Sequence, residues 1–566
     1  MKKNILLVSA FLLSVILTSC SKDFLETESK TDLNTASFYQ TEVQMDYAIV
    51  GCYDGYQRTV SNGSWPTLFQ AVETMSDDCL GGGGPDDRSD RLMDRFDMSY
   101  KSDAVDLFDG IWGDYYKAIY RCNLVLGSIE TATWTSDANK LKTEAQARAL
   151  RGLEYFDLVR MFENVPLVTV PTSEVVAQAT PDEVYAQIVE DLKWAADNMP
   201  ADAFLSDGDF GRITKYAAEA MLARVYLFYD GVYNNNAGGT MPGELTKAQA
   251  LQYCEDVIAS GNFDLEANFK DLFPASATTA ASTKEEGWLN TYVENSKENI
   301  WTVKFNFDQD WNNDNINGNR FLVNLGMRNV TGYAPYGNGW GACPITPYAA
   351  SIFNGDDMRG DATIINCRTI GAYDEQAGTD CMDYTGYVNK KYCPLIYTSG
   401  DPIYVVAAMA EGFTGANMQT TPDQNWVLMR YSDVLLMAAE LGSGNAVQYF
   451  NKVRERAYGS TAYNISAAPS KELVWNERRL EFMGEGVRYF DLMRQGLDAF
   501  VAAQMGQATS NGLSTGTAIT VVNNTVEQEI KDTYVDNNIR SKRGFFQIPQ
   551  TQINLSNGVY KQNAGW

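Results

Sequence analysis

No histidine occurs anywhere in the 566 residues. That absence removes Ser-His-Asp and Cys-His catalysis, imidazole acid–base chemistry and most transition-metal sites, leaving carboxylate chemistry as the enzymatic option. Positive charge is scarce too: 45 Lys and Arg stand against 72 Asp and Glu, a formal net charge of −27. Such a chain repels nucleic-acid phosphates and anionic membrane surfaces, so neither is expected as a partner, and the ligand is expected to be neutral or weakly charged. The eight cysteines beyond Cys20 (Cys52, Cys79, Cys122, Cys254, Cys343, Cys367, Cys381 and Cys393) contain no Cys-x-x-Cys pair and match no zinc spacing. In an exported chain some of them could oxidise, and Cys367, Cys381 and Cys393 are close enough in sequence for one bridge, with the connectivity open. A hydrophobic content of 45% and an aromatic content of 12% are those of a globular rather than a disordered chain.

The N-terminus carries a processing signal. Lys2 and Lys3 precede the apolar run Ile5 to Leu17, which is 13 residues long and so falls short of the roughly 20 that span a membrane. The run ends in Leu17-Thr18-Ser19-Cys20, the pattern on which bacterial lipoprotein signals are cut and the cysteine thiol lipidated. Residues 1–19 therefore read as a lipoprotein signal peptide and Cys20 as the lipidated first residue of the mature protein. The mature chain is long enough for three or four domain-sized units or for one fused body.

Residues 20–260 read as an N-terminal helical scaffold. Phe108, Ile111, Trp112, Tyr115, Ile119, Leu124 and Leu126 recur at helical spacing, as do Leu150, Leu153, Phe156, Val159 and Phe162 one helix later. Thr180-Pro181-Asp182-Glu183 opens a third helix with a capping threonine, a proline in the first turn and acidic residues near the positive end of the dipole. A fourth runs from Thr214 to about Tyr229. Helix pairs of this length suggest tetratricopeptide-like packing. Residues 261–424 change character, with Gly, Asn and Thr replacing helix formers; there Ile300 to Phe307 alternates as a half-buried strand would, with Trp301, Val303 and Phe305 on one face. From Asn425 to the end, helices are expected to return, among them one stretch from Leu473 to Arg494. The fold class is thus mainly α, a tetratricopeptide-like helical scaffold interrupted by a loop-rich insertion with short strands.

Motifs spread along the chain carry a family resemblance. Leu150-Arg151 is followed by Tyr155-Phe156-Asp157-Leu158-Val159-Arg160, Val165-Pro166-Leu167, Gly211-Arg212-Ile213-Thr214-Lys215 and Leu222-Ala223-Arg224-Val225-Tyr226. Then come Arg430-Tyr431-Ser432-Asp433-Val434-Leu435-Leu436-Met437, Asn451-Lys452-Val453-Arg454-Glu455-Arg456, Asn476-Glu477-Arg478-Arg479-Leu480-Glu481-Phe482, Arg488-Tyr489-Phe490-Asp491-Leu492 and Ile548-Pro549-Gln550. In this order they resemble the SusD/RagB group of outer-membrane nutrient-binding lipoproteins. The resemblance implies a tetratricopeptide-like scaffold, a lipid anchor in the outer membrane at the cell surface, a TonB-dependent (SusC-like) transporter as partner, and a glycan ligand held by the variable middle and by N-terminal loops. Ser21-Lys22-Asp23 and Glu26 loosely resemble the acidic stretch that sends such lipoproteins to the surface.

Sugar recognition needs flat apolar surfaces for pyranose faces and amides or carboxylates for hydroxyls. The window 288–348 holds eleven aromatic residues among 61, denser than the 12% of the whole chain, and asparagines between them. Trp301 shares a strand face with apolar neighbours and belongs to the core. Trp311, beside Asn312 and Asn313, and Trp340, among glycines, have little local core to join and are candidate ligand contacts, with Tyr333, Tyr336 and Trp288 behind them. A second region supplies Trp65, Asp78 and Arg91 as candidate contacts. Its loop Gly81-Gly82-Gly83-Gly84-Pro85-Asp86-Asp87 lacks the lysine of a phosphate-cradling loop. Its carboxylates would suit calcium, although the spacing is not that of an EF-hand; otherwise they form a solvated rim, and no cofactor is expected.

Glu477, Glu481 and Glu485 stand at four-residue steps in an expected helix. A glycosidase needs two carboxyls facing each other across a scissile bond, whereas these would project side by side from one helix, so an ion-pair network with Arg478, Arg479 and Arg488 is the expected role. The chain reads as a binding protein and not as an enzyme. The rival readings are a surface binder of peptides or another non-sugar nutrient, and a surface glycoside hydrolase built from scattered carboxylates.

Overall fold

The computed structural model describes residues 38–63, 65–97, 106–201, 210–279, 289–306, 309–310, 315–330, 332–377, 380–396, 402–403, 419–510 and 531–566. Cys20 and the signal segment lie outside these residues.

Local chemistry starts the helices. In α1 (Glu42–Gln57) the Thr41 hydroxyl accepts from the Gln44 N–H while the Gln44 side chain reaches back to the Thr41 backbone. After α2 (Leu68–Thr74), α3 (Arg88–Arg95), α4 (Asp109–Ser128) and α5 (Asp137–Phe162), the same reciprocal cap forms at Thr180 and Glu183. With Pro181 in the first turn, it opens α6 (Pro181–Asn198) where the sequence places it. The Thr214 and Thr246 hydroxyls cap α7 (Lys215–Tyr233) and α8 (Lys247–Ala259).

These helices pack on one another in turn, α1 on α4, α4 on α5, α5 on α6, α6 on α7 and α7 on α8. The chain is mainly helical, in the tetratricopeptide-like manner that helix pairs of this length suggest. The C-terminal helices extend the stack: α9 (Tyr431–Leu441) packs on α8 and on α10 (Ala446–Tyr458), and beyond them come α11 (Lys471–Phe482), α12 (Arg488–Gln495), α13 (Leu497–Ser510) and α14 (Lys531–Lys542). Gly231 makes the α7–α12 contact possible: a Cβ there would lie 2.2 Å from the Arg494 carbonyl oxygen.

Three sequence expectations need correction. Among the described residues of the alternating segment the strand is β1 (Asn299–Val303), and all five of its residues are buried; Phe307 lies outside the described residues. Strand β1 pairs antiparallel with β2 (Trp426–Arg430), whose five residues are buried as well. That second strand occupies the place expected to begin a helix; the helix starts one residue later, at Tyr431, because Trp426-Val427-Leu428-Met429 finds a strand partner more than a hundred residues upstream. The stretch Leu473 to Arg494 is two helices, broken where Gly484 and Gly486 take φ of +78° and +80°, values that a side-chain-bearing residue rarely adopts.

The middle region has a small core of its own. Met327, Val330, Ile365, Cys367, Cys381, Tyr384, Val388, Cys393 and Leu395 bury one another apart from the main core. Its backbone pairs in short pieces, such as Ile364–Asn366 with Tyr387–Asn389. The three cysteines in this core are buried free thiols, as are Cys52, Cys79, Cys122, Cys254 and Cys343, so the bridge expected among Cys367, Cys381 and Cys393 is not formed.

Candidate recognition face

Two distant stretches of chain build one face. The N-terminal loop after α2 lies against the segment 341–345: Cys79 bridges Ile345, Gly82 bridges Ala342, and the Gly83 N–H donates to the Gly341 carbonyl at 2.9 Å. Gly82 takes φ +73°, and a Cβ there would meet the Gly341 oxygen at 2.5 Å, so glycine is what lets the two backbones touch. Beside this seam the Ser61 hydroxyl donates to the Asn319 side chain at 3.1 Å and accepts from the Arg320 N–H at 3.1 Å. The loop bearing Trp65 is thereby tied to the segment that leads to Trp340.

Trp340 is half-buried, its backbone N–H donating to the Val323 carbonyl at 2.6 Å. The Arg320 guanidinium lies over its ring, 5.7 Å from the centroid, and burial lowers the Arg320 pKa. Arg328 donates to the Trp340 carbonyl at 3.3 Å and grips Asp380 through two nitrogens at 2.7 and 2.9 Å. Trp65 leaves 38% of its surface exposed, a large apolar area with no core to cover it. On the small core, Tyr333 donates to Glu375 at 2.6 Å, and the Lys390 ammonium stands 5.6 Å from the Tyr336 ring. Aromatic rings set among amide, guanidinium and carboxylate groups form a surface that can stack on pyranose faces and satisfy hydroxyls.

Trp340, Tyr333, Tyr336 and Trp65 thus occupy half-exposed or exposed positions in this part of the molecule. Trp311, Trp288, Asn312 and Asn313 lie outside the described residues, and so does the side chain of Arg91. Asp78 is elsewhere: it is 0% exposed, and Arg479 donates to it through two nitrogens at 2.8 and 2.6 Å. Burial raises its pKa despite Arg479 and despite the opposing pull of Arg488. The expectation of Asp78 as a ligand contact is therefore corrected; it is a fold residue, as is Asp77, which pairs with Arg488 at 2.6 Å. In the glycine loop Asp87 accepts from the Gly84 N–H at 2.7 Å. Among the described residues no group of three or more Cys, Asp or Glu could hold a metal ion. Arg320, Arg328 and Lys390 escaped the sequence reading because nothing local links them to the rings they serve.

The glutamate series sits deep in the body. Glu477 and Glu481 belong to α11, while Glu485 falls in the glycine break. Their partners are not the neighbouring arginines expected from sequence. Arg359 reaches Glu477 at 2.7 Å, Arg430 and Arg456 reach Glu481 at 2.8 and 2.5 Å, and Lys391 and Arg430 reach Glu485 at 2.6 and 2.8 Å. Arg478 instead joins Asp433 and Asp491. Burial by itself would raise the Glu481 pKa, yet Arg456, Arg430 and Arg359 hold it well below the usual carboxylate range. Buried carboxylates that are each gripped by a cation have no room for a scissile bond between them.

Comparison with known proteins agrees with this architecture. A family model described as the SusD family matches residues 368–566, and one described as starch-binding associating with outer membrane matches residues 23–227. A SusD-like protein of Bacteroides ovatus is 26% identical over 515 residues, covering 87% of this chain and 82% of its own. The starch-binding protein SusD of Bacteroides thetaiotaomicron is 24% identical over 461 residues, 75% of this chain and 76% of its own. Among solved structures, surface glycan-binding protein A of Bacteroides thetaiotaomicron in complex with laminarihexaose superposes with a TM-score of 0.68 at 25% identity, covering 93% of this chain and all of that one.

Proposed function

Because the chain belongs to the SusD/RagB family, we propose that it is a cell-surface glycan-binding lipoprotein, anchored in the outer membrane through lipid on Cys20. In this reading it captures an oligo- or polysaccharide and hands it to a SusC-like TonB-dependent transporter. The observation that carries the reading is the half-buried Trp340 ring under the Arg320 guanidinium. Stacking and hydrogen bonding there would hold a neutral sugar chain with no cofactor and no bond broken. Relatives named for binding starch and glycans support the ligand class, and Leu17-Thr18-Ser19-Cys20 supports the anchor.

Affinity electrophoresis tests the reading. The soluble chain lacking residues 1–20 is expected to be retarded in native gels cast with at least one of starch, laminarin, xylan, mannan, pectin or host mucin glycans, and Trp340→Ala to run free. Unretarded migration in every gel would count against a glycan and in favour of a peptide or another nutrient. For the anchor, Cys20→Ala is expected to abolish labelling of the protein by palmitate analogues.

A further inference from the structure

Arg328 borders the backbone of Trp340 on both sides. It stands beside Gly339, one residue before Trp340, because Met327–Arg328 pairs in parallel with Asn338–Gly339. One residue after Trp340, Gly341 takes φ +74°, and a Cβ there would lie 2.9 Å from the Arg328 Cβ. Between these two contacts the Arg328 Nη1 donates to the Trp340 carbonyl at 3.3 Å.

The guanidinium that makes this bond is fixed by two other groups. Asp380 accepts from Nε at 2.7 Å and from Nη2 at 2.9 Å, and Asn329 donates to the same carboxylate at 3.0 Å. A planar guanidinium gripped through two nitrogens has one orientation, which a lysine ammonium does not reproduce. The glycine loop supplies the second constraint: a Cβ on Gly84 would lie 2.9 Å from the Arg328 Cζ and closer still to Nη2. Gly84 has no positive φ, so the approach of Arg328, rather than a turn, calls for glycine there. The loop is held in its turn by Asp87, which accepts from the Gly84 N–H, and by Met382, whose N–H donates to the Gly83 carbonyl at 2.8 Å.

We propose that Arg328 is the positioning residue of the Trp340 face: gripped by Asp380 and seated on the glycine loop at Gly84, it fixes the Trp340 backbone and so pre-sets the ring on which a sugar stacks. Arg328 acts through Trp340 and not by touching the ligand. A ring set before binding spends less of its contact energy on ordering, so the clamp raises affinity without adding a contact. The inference rests on the glycan reading of this face and deepens it, giving the glycine loop the task of holding the clamp.

Two measurements on the soluble chain lacking residues 1–20 test the proposal. In the first, without ligand, the Trp340 fluorescence is taken as the difference between each protein and its Trp340→Phe counterpart. Acrylamide is expected to quench it more steeply in Arg328→Met and in Gly84→Ala than in the wild type. The second is a double-mutant cycle by calorimetric titration with the polysaccharide that retards the wild type. Arg328→Met is expected to lose about tenfold in affinity, yet to change affinity less than about twofold when Trp340→Ala is already present. Gly84→Ala, which keeps the Arg328 charge but displaces its guanidinium, is expected to weaken binding in the same direction, and Arg328→Lys not to restore it. Asp380 is 47% exposed and stays solvated without its partner, so the thermal midpoint of Arg328→Met is expected to hold. Unchanged quenching, full affinity in Arg328→Met, full rescue by Arg328→Lys, or a tenfold loss that persists beside Trp340→Ala would each overturn the positioning role. If Trp340→Ala alone loses affinity, the glycan reading stands without the clamp, whereas a wild type silent with every polysaccharide would sink both.

Discussion

Arg430 and Glu481 meet at 2.8 Å with 1% and 0% of their side chains exposed, and each is shared with other charges. Arg430 also reaches Glu298 at 2.6 Å and Glu485 at 2.8 Å, and Glu481 also accepts from Arg456 and Arg359. The cluster joins strand β2, the turn before β1, the loop-rich middle at Arg359 and the C-terminal helices, so it ties the recognition region to the scaffold. Breaking one member leaves the others charged, buried and unmatched. Glu481→Gln and Arg430→Met are each expected to destabilise the protein by about 3–5 kcal/mol, read as a fall in the urea midpoint. A change within about 0.5 kcal/mol would show the cluster to be dispensable.

Glu73 gives a pH signature. It is 2% exposed and accepts from the Gly486 N–H at 2.5 Å, and burial pushes its pKa up to about 7. The folded protein therefore binds a proton between pH 4.5 and 7 that the unfolded chain releases. This contribution is fully present below about pH 4.5 and is lost as the pH rises through about 7, an effect on the order of 3 kcal/mol. Glu73→Gln is expected to flatten that part of the stability–pH curve; an unchanged slope would show that Glu73 ionises freely in the folded state.

Gly231 makes a packing prediction. A methyl group at this position would press on the Arg494 backbone, which cannot move aside as a flexible side chain would. Gly231→Ala is expected to cost about 1–3 kcal/mol by overpacking, even though alanine favours the helix more than glycine does. A rise in thermal midpoint would mean that α12 can shift away freely.

The parts of the fold legible in the sequence are those written locally. Thr180-Pro181-Asp182-Glu183 announces α6 because cap, proline and acidic first turn act within four residues. Strand β2 was hidden because its partner β1 lies far upstream, and its apolar run leads directly into a helix. The same holds for Asp78, whose position in a glycine-rich region suggested a ligand, whereas its partner Arg479 stands 401 residues away. At the recognition face, the glycines around Trp340 mark it as a ring with little local core to join, whereas Trp65 stands out by position alone. The polar groups at the rings, Arg320 and Arg328 beside Trp340 and Lys390 beside Tyr336, lie too far along the chain for any local signal to link them to those rings.

The Trp340 face is proposed to capture glycan without breaking it. The most direct test is calorimetric titration of the soluble chain with the polysaccharide that retards it, with reducing ends assayed in the same samples. Binding is expected with no new reducing ends, and Trp340→Ala is expected to lose about 2 kcal/mol of binding, roughly thirtyfold in affinity, with its thermal midpoint held. New reducing ends in step with added protein, or full affinity in Trp340→Ala, would contradict the account.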